Sequence, residues 1–152
     1  MNYEFRPITV DDVRAIVSWH YDPPYDFYDM ESDPEDLARF TNPTNWDDKY
    51  AVFGADDERV GFFSFEFSDG TLEIGLGMCP HLTGRGNGRS FVEAGLAFAR
   101  KEYDPEQFSL AVATFNDRAI SVYEKVGFER VEVFVQETNG GEYEFLEMRR
   151  DA

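Results

Sequence analysis

Residues 80–90 read Pro80-His-Leu-Thr-Gly-Arg-Gly-Asn-Gly-Arg-Ser90, between an apolar strand pattern and a long helix pattern. Glycine occupies every second position from 84 to 88, which lets the backbone turn tightly and lets a ligand approach its amides. At a helix N-terminus such amides form an anion site, to which Arg85 and Arg89 add positive charge. The stretch predicts a strand-to-helix crossover that binds phosphate or pyrophosphate, although a plain tight turn uses the same glycines.

A second pattern follows the next strand and reads Asn116-Asp-Arg-Ala-Ile-Ser-Val-Tyr-Glu-Lys-Val-Gly-Phe-Glu129. Asn116 is placed as the N-cap of a helix that Gly127 ends. Seven residues make nearly two helical turns, so Asn116 and Tyr123 share one face. The same spacing also fits an asparagine that only caps and a tyrosine that packs its ring on the core.

Working outward from these two patterns, the chain alternates strand and helix signals without a repeat or linker. We predict strands over 3–6, 50–54, 59–67, 71–78 and 108–115, and two more around the Asn139-Gly140-Gly141 turn. We predict one helix after a Thr9 cap, a second over 34–40 after an Asp33 cap, and two more over 86–103 and 117–126. An antiparallel meander followed by a βαβ crossover predicts a single α/β (mixed α+β) domain over 1–152. Its mixed, mostly antiparallel sheet has about seven strands, with helices on both faces.

Acidic residues dominate the charge: 31 Asp and Glu against 14 Lys and Arg give a net charge of −17. Nucleic acid and anionic membranes are therefore not expected partners. No apolar run is long enough to span a bilayer and no signal core opens the chain, so we expect a cytoplasmic protein. Cys79 has no second cysteine to pair with, and the sequence lacks a Cys/His cluster, so no metal is predicted.

The acidic excess, with only three lysines (Lys49, Lys101 and Lys125), also suggests adaptation to molar salt. At about 1 M salt the Debye length falls to about 3 Å, which screens the self-repulsion of such a surface. We therefore expect the melting temperature to rise between low and molar KCl. A flat dependence would favour an acidic protein that charge merely keeps soluble.

Together the two patterns resemble the GNAT superfamily of N-acetyltransferases. Gly84-Arg-Gly-Asn-Gly88 is similar to the family's pyrophosphate loop, Gln/Arg-x-x-Gly-x-Gly/Ala, and residues 116–128 are similar to its Asn-x-x-Ala-x-x-x-Tyr-x-x-x-Gly-Phe segment. The element order also resembles that fold, in which a sheet splayed into a V receives the pantetheine arm of acetyl-coenzyme A. One departure is Thr83, where the family has Gln or Arg; it removes one side chain from the pyrophosphate cradle.

The resemblance implies a coenzyme site and a mechanism. The amine attacks the thioester directly while both substrates are bound, Tyr123 protonates the departing thiolate, and Asn116 orients the coenzyme or a water. The expected coenzyme-binding residues are Met78, Thr83, Gly84, Arg85, Gly86, Asn87, Gly88, Arg89, Ser90 and Asn116. No metal takes part.

The catalytic base is predicted to be Glu73, at the start of the strand that leads to the loop, where some family members place a glutamate. A carboxylate beside an apolar sheet has its pKa raised toward that task. Glu73 is equally consistent with a polar residue on an exposed strand face. A ping-pong alternative uses Cys79 as the nucleophile, with His81 as its only nearby activator.

The acceptor is predicted to be a small-molecule amine or a peptide N-terminus. Aromatic residues Trp19, Tyr25 and Tyr28, with Tyr21 and Phe27, and acidic residues Asp22, Asp26 and Asp29 are expected to form a pocket for a cationic amine. The same aromatics also suit the cover of a sheet edge. Two other functions stay open, a non-catalytic acyl-coenzyme A binding regulatory domain and a structural protein, and the oligomeric state is monomer or homodimer.

Overall fold

The computed structural model describes residues 2–152; Met1, the first residue of the predicted domain, lies outside them. Its elements are β1 (Glu4–Pro7), α1 (Val10–Val17), α2 (Pro34–Thr41), β2 (Lys49–Phe53), β3 (Arg59–Ser68), β4 (Thr71–Met78), α3 (Gly88–Tyr103), β5 (Gln107–Ala113), α4 (Asp117–Lys125), β6 (Glu129–Thr138) and β7 (Gly141–Asp151). Short 3₁₀ turns cover Tyr25–Tyr28, Met30–Ser32, Pro43–Asn45, Ala55–Asp57 and Pro80–Leu82. No helix in the described part of the chain is both long and apolar enough to cross a bilayer.

The strands form one seven-stranded sheet in the order β1-β2-β3-β4-β5-β7-β6. All neighbours are antiparallel except β4 and β5, which the α3 crossover makes parallel. Helices α3 and α4 pack on one face over a core that contains Phe63 and Phe91, while α1 and α2 pack on the other, where their Val13 and Phe40 join Ala51 and Phe53 of β2. The predicted fold, a mixed sheet with helices on both faces, is confirmed.

Most predicted boundaries differ from the structure by one or two residues, and two of the differences have identifiable reasons. Helix α3 begins at Gly88 rather than at 86, because Gly86 has a φ of +79°, outside the right-handed helical region. Strand β1 runs to Pro7, one residue beyond the predicted 3–6, since β1 is an edge strand on which a missing N–H need not disturb the sheet. The predicted bounds of β4, 71–78, match the structure.

Two predicted helix caps also define how the first half of the chain is held. Thr9 and Asp12 form a capping box at the start of α1: the Thr9 hydroxyl accepts from the Asp12 amide, and Asp12 accepts from the Thr9 amide. Asp33 caps α2 by accepting from the amides of Glu35 and Asp36. The caps therefore fix both helices that cover one face of the sheet.

Asp33 additionally accepts from the Thr138 hydroxyl (2.7 Å) and the Asn139 amide (3.1 Å), which joins α2 to the β6–β7 turn. These hydrogen bonds lower the pKa of Asp33 to about 2, below its ordinary 3.8. A carboxyl whose pKa falls on folding stabilises the fold above its unfolded pKa, and that stabilisation disappears as pH falls through the folded value.

We therefore expect Asp33→Asn to lower the melting temperature at neutral pH. The difference from the parent should shrink as pH falls from about 4 to about 2, because both carboxyl and amide are then uncharged. Thermal unfolding across this range measures it, with the exposed Asp22→Asn as control. A difference that stays constant with pH would contradict the role of the Asp33 charge.

Candidate active site

The sheet opens between β4 and β5. These strands pair only over Thr71–Glu73 and 107–109, at the end where both begin, and no pairing continues beyond Glu73 in the described chain. The gap widens into a cavity of about 1010 Å³. Its walls come mainly from β4, residues 83–89, β5, α4 along its whole length, the segment 19–30 and the β6–β7 hairpin.

Both walls of the cavity present backbone groups that the sheet leaves unpaired. The Cys79 amide donates to Val60 on β3, so alternation along β4 turns the backbone groups of Leu76 and Met78 toward the cavity, where the Met78 carbonyl already accepts from the Tyr21 hydroxyl (2.7 Å). The Thr114 amide donates to Glu144 on the β7 side, so alternation turns the amide and carbonyl of Ala111 inward from β5, whereas the Ala113 carbonyl already accepts from the Asn116 amide (3.0 Å). An extended ligand with amide groups of its own can bind between such walls.

The glycine loop closes one end of the cavity. Gly84 (φ +71°) and Gly86 (φ +79°) are left-handed, and no heavy atom lies within 4 Å of where a Cβ of Gly86 would stand. No side chain of the described residues caps the first amides of α3. Free amides at a helix N-terminus beside open space form an anion site.

The polar side chains of the loop mostly support its shape. Thr83 donates to the Pro80 carbonyl (2.7 Å), Asn87 donates to the Leu82 carbonyl (3.3 Å), and Ser90 donates to the Asn87 carbonyl (3.0 Å). Of these three residues only Thr83 lines the cavity. Asn87 and Ser90 therefore hold the loop in place from outside the cavity.

The arginines of the loop differ in position. Arg89 lines the cavity, but its guanidinium pairs with Glu93 one turn along α3, at 2.9 Å. Arg85 is exposed and is not among the lining residues. The sequence analysis missed Arg118, which lines the cavity from the first turn of α4. The sequence did contain a signal, an arginine in the first turn of the predicted helix 117–126. A cation is disfavoured at a helix N-terminus unless another group holds it there.

Asn116 and Tyr123 lie on the opposite wall. Asn116 is buried; its Oδ1 accepts from the Ala119 amide (3.1 Å) as the N-cap of α4, and its Nδ2 donates to the Tyr28 hydroxyl (3.2 Å). The half-buried Tyr123 lines the cavity and packs edge-on against Phe128, with ring centroids 6.0 Å apart. Burial, aided by the nearby Tyr28, raises the pKa of Tyr123 well above its ordinary value of 10.0, so its hydroxyl stays protonated.

The predicted acceptor segment lies at the open side of the cavity. Trp19, Tyr21, Tyr25, Phe27, Tyr28 and Asp29 line it, whereas Asp22 and Asp26 are exposed and do not. Asp29 accepts from the Tyr21 amide (2.8 Å) and contacts His20 (3.0 Å), and the contact raises the pKa of His20. Asp36 of α2, which the sequence analysis did not single out, also lines the cavity. The pocket thus combines aromatic rings with two carboxyl groups.

Glu73 does not line the cavity. It stands at the closed end, paired with Ser109 on β5 and Glu66 on β3. The side chain of Glu73 is exposed, as expected for a polar residue on a strand face. Partial desolvation by the neighbouring atoms, followed by the charges of Glu66 and Glu147, raises its pKa above the ordinary 4.5. The cavity-lining Gly75 lies on the same face of β4, about 7 Å further along the strand.

Cys79 and His81 do come together, with Sγ 3.0 Å from Nδ1, and His81 Nε2 lies 2.9 Å from Glu58. Neither Cys79 nor His81 lines the cavity, and burial raises the pKa of the thiol. A buried thiol with a raised pKa outside the cavity is poorly placed to attack a donor bound inside it. The geometry supports direct transfer over the ping-pong alternative.

These features define a class of protein that binds a long, phosphate-bearing ligand between the separated strands of a sheet. A second pocket lies at the end of that ligand away from its phosphates. The loop, the free amides and the cavity cations fit acetyl-coenzyme A, which carries a diphosphate, two amides and a reactive thioester.

Comparisons with known proteins identify the family. Residues 3–129 match the acetyltransferase (GNAT) domain model. A chimera of the spermidine N-acetyltransferase SpeG from Vibrio cholerae and hSSAT matches with a TM-score of 0.79 at 20% identity, over 99% of this chain and 96% of that one. A GNAT-family acetyltransferase from Bacillus anthracis matches with a TM-score of 0.77 at 19% identity, over 99% and 95%.

The spermidine N-acetyltransferase from Vibrio cholerae in complex with CoA and spermine matches with a TM-score of 0.78 at 19% identity, over 98% of this chain and 95% of that one. At such identities the likeness is one of fold. Among curated protein sequences, none matches the chain. From the domain match, the chain belongs to the GNAT acetyltransferase family: it is an acetyl-coenzyme A-dependent N-acetyltransferase that transfers the acetyl group to an amine.

Proposed function

We propose that this enzyme acetylates a small cationic primary amine by direct attack on acetyl-coenzyme A in a ternary complex. The observation that carries the proposal is the single cavity, which joins the anion loop at one end to the aromatic and acidic pocket at the other. One continuous cavity lets both substrates be present at once, so no covalent enzyme intermediate is needed.

The acceptor end favours a cation. Asp29 supplies negative charge, and Asp36 adds a carboxylate that pairs with Arg39. The rings of Trp19, Tyr21 and Tyr28 supply faces for an alkylammonium group. Structural relatives are spermidine N-acetyltransferases, one of them in complex with spermine, which supports polyamines as the first candidates. A peptide N-terminus stays a second candidate, and monomer or homodimer stays a prediction.

The residues at the cavity and Glu73 have proposed roles in this reaction. The loop amides and those of Leu76 and Met78 hold the coenzyme, whose thioester supplies the acetyl group. Tyr123, kept protonated by burial, donates a proton to the leaving sulfur. Glu73 is the proposed base; from the closed end of the cleft it acts through water, and its raised pKa makes it a stronger base.

The test is release of free thiol from acetyl-coenzyme A across a panel of polyamines, monoamines, amino acids and peptides, in low and molar KCl. Calorimetric titration of acetyl-coenzyme A into the same sample runs beside it. We expect turnover with a polyamine or another multiply charged amine. Coenzyme binding without turnover on any amine would contradict the proposal and favour a regulatory domain, and a folded sample without coenzyme binding would overturn it altogether.

A further inference from the structure

Arg118 is held between the two substrate regions of the cavity. Its guanidinium carbon lies 4.0 Å from the ring centroid of Tyr25, which is cation–π geometry. On the other side, Nη1 lies 3.1 Å from the position that a Cβ of Gly84 would take. The stacked ring therefore aims this cation at the glycine loop.

Arg118 has no acidic partner. None of the ion pairs among residues 2–152 includes it, although the protein carries a net charge of −17 and Arg89, the other arginine at the cavity, pairs with Glu93. The first turn of a helix is also an unfavourable place for a positive charge. An unpaired cation kept there beside free loop amides indicates an anionic ligand.

The glycine loop lacks the Gln or Arg side chain that the family motif has at its first position. Thr83 stands at the first motif position, and its hydroxyl is already engaged with the Pro80 carbonyl. The loop therefore gains no charged side chain from that position. Gly84 directly follows Thr83 in the chain, and the guanidinium of Arg118 lies beside Gly84. The charge of Arg118 is therefore at the same end of the loop as Thr83.

Building on the proposed function, we propose that Arg118 binds the diphosphate of the coenzyme and supplies the charge that Thr83 does not. Its planar guanidinium suits two phosphate oxygens at once. Tyr25 is a positioning residue for this contact: its ring holds the guanidinium toward the loop. The proximity to Gly84 assigns the diphosphate, which the loop amides bind, over the 3′-phosphate.

Calorimetric Kd values for acetyl-coenzyme A test this directly. We expect Arg118→Gln to weaken binding by about 10- to 100-fold, the range for a lost charge-assisted hydrogen bond, and Arg118→Lys to weaken it less. Arg130→Gln removes the same charge from an exposed ion pair outside the cavity and should change the Kd by less than about twofold. Equal Kd values for the parent and Arg118→Gln would overturn the inference.

Truncated donors locate the contact. Arg118→Gln should still weaken the binding of acetyl-dephospho-coenzyme A, which lacks the 3′-phosphate. The same variant should have the kcat/KM of the parent with S-acetylpantetheine, which lacks the diphosphate as well. A loss that disappears with the dephospho donor overturns the diphosphate assignment, and a loss that persists with S-acetylpantetheine indicates a general structural defect and overturns it too.

Tyr25→Leu gives a second route if Arg118→Gln folds poorly. Without the stacked ring, the Kd for acetyl-coenzyme A should rise by about 2- to 30-fold. An unchanged Kd would contradict the positioning role. Failure of the parent protein to bind acetyl-coenzyme A would instead count against the proposed function, so the two failures are distinguishable.

Discussion

We expect replacement of Tyr123 with phenylalanine to lower kcat for acetyl transfer by about 10²- to 10⁴-fold, the usual contribution of a general acid, which is the role proposed for Tyr123. The Kd for acetyl-coenzyme A should stay nearly unchanged, because the ring still packs against Phe128 and only the hydroxyl is lost. Since burial raises the pKa of Tyr123 above 10.0, the parent enzyme should show no loss of rate from its ionisation up to about pH 10. Steady-state kinetics with calorimetry measure both quantities.

Tyr143→Phe is the matched control. Tyr143 lies outside the cavity lining, and no side-chain hydrogen bond to its hydroxyl is present among residues 2–152. Its kcat should equal that of the parent. If Tyr123→Phe keeps full turnover, or loses coenzyme affinity in proportion to rate, another group protonates the leaving thiolate.

The largest effect on stability is expected at Asp12. Its carboxylate is 3% exposed and accepts from the Thr9 amide (2.9 Å) and from Arg59 Nε (2.9 Å). Asp12→Ala removes one half of the capping box of α1, the hydrogen bond from the Thr9 amide, and leaves Arg59, which is itself 29% exposed, without its partner. We expect the free energy of unfolding to fall by about 3 kcal/mol, the lower end for a broken buried ion pair. Urea unfolding in constant KCl measures this loss.

Asp11→Ala provides the comparison, because Asp11 occupies the same helical turn but is exposed. Its loss should be only a few tenths of a kcal/mol, from the helix dipole. Similar losses in the two variants would mean that the buried pair contributes little. The loss in Asp12→Ala should also survive molar KCl, since a buried pair is screened less than a surface one.

Much of the fold could be predicted because local signals agreed with one another. Thr9 and Asp33 mark helix starts by a chemistry that depends on a few neighbouring residues, and both caps form as predicted. The glycine loop could be placed for the same reason, since strand, turn and helix signals met at one point. Where the prediction erred, at 86, one backbone angle decided the helix start, and a sequence shows residue types but not φ values.

The rest of the candidate site depends on contacts between distant parts of the chain. Arg118 gained its importance from Tyr25 and Gly84, each far from it in sequence. Asp29 and Asp22 look alike in the sequence, yet only Asp29 faces the cavity, because the 3₁₀ turns of the segment set their directions. Periodicity cannot resolve such short irregular turns.

The segment from Tyr21 to Tyr28 contacts both walls of the split sheet. The Tyr21 hydroxyl donates to the Met78 carbonyl (2.7 Å) on one wall, while Tyr28 and Tyr25 contact Asn116 and Arg118 on the other. In the proposed complex, coenzyme and amine therefore contact the same segment. Binding of either ligand can restrict the motion of this segment before the other ligand binds. Such coupling is reciprocal: the factor by which the amine raises coenzyme affinity equals the factor by which the coenzyme raises amine affinity. In the proposed mechanism each substrate would thus raise the affinity for the other, which would favour the doubly occupied state that the proposed direct attack requires.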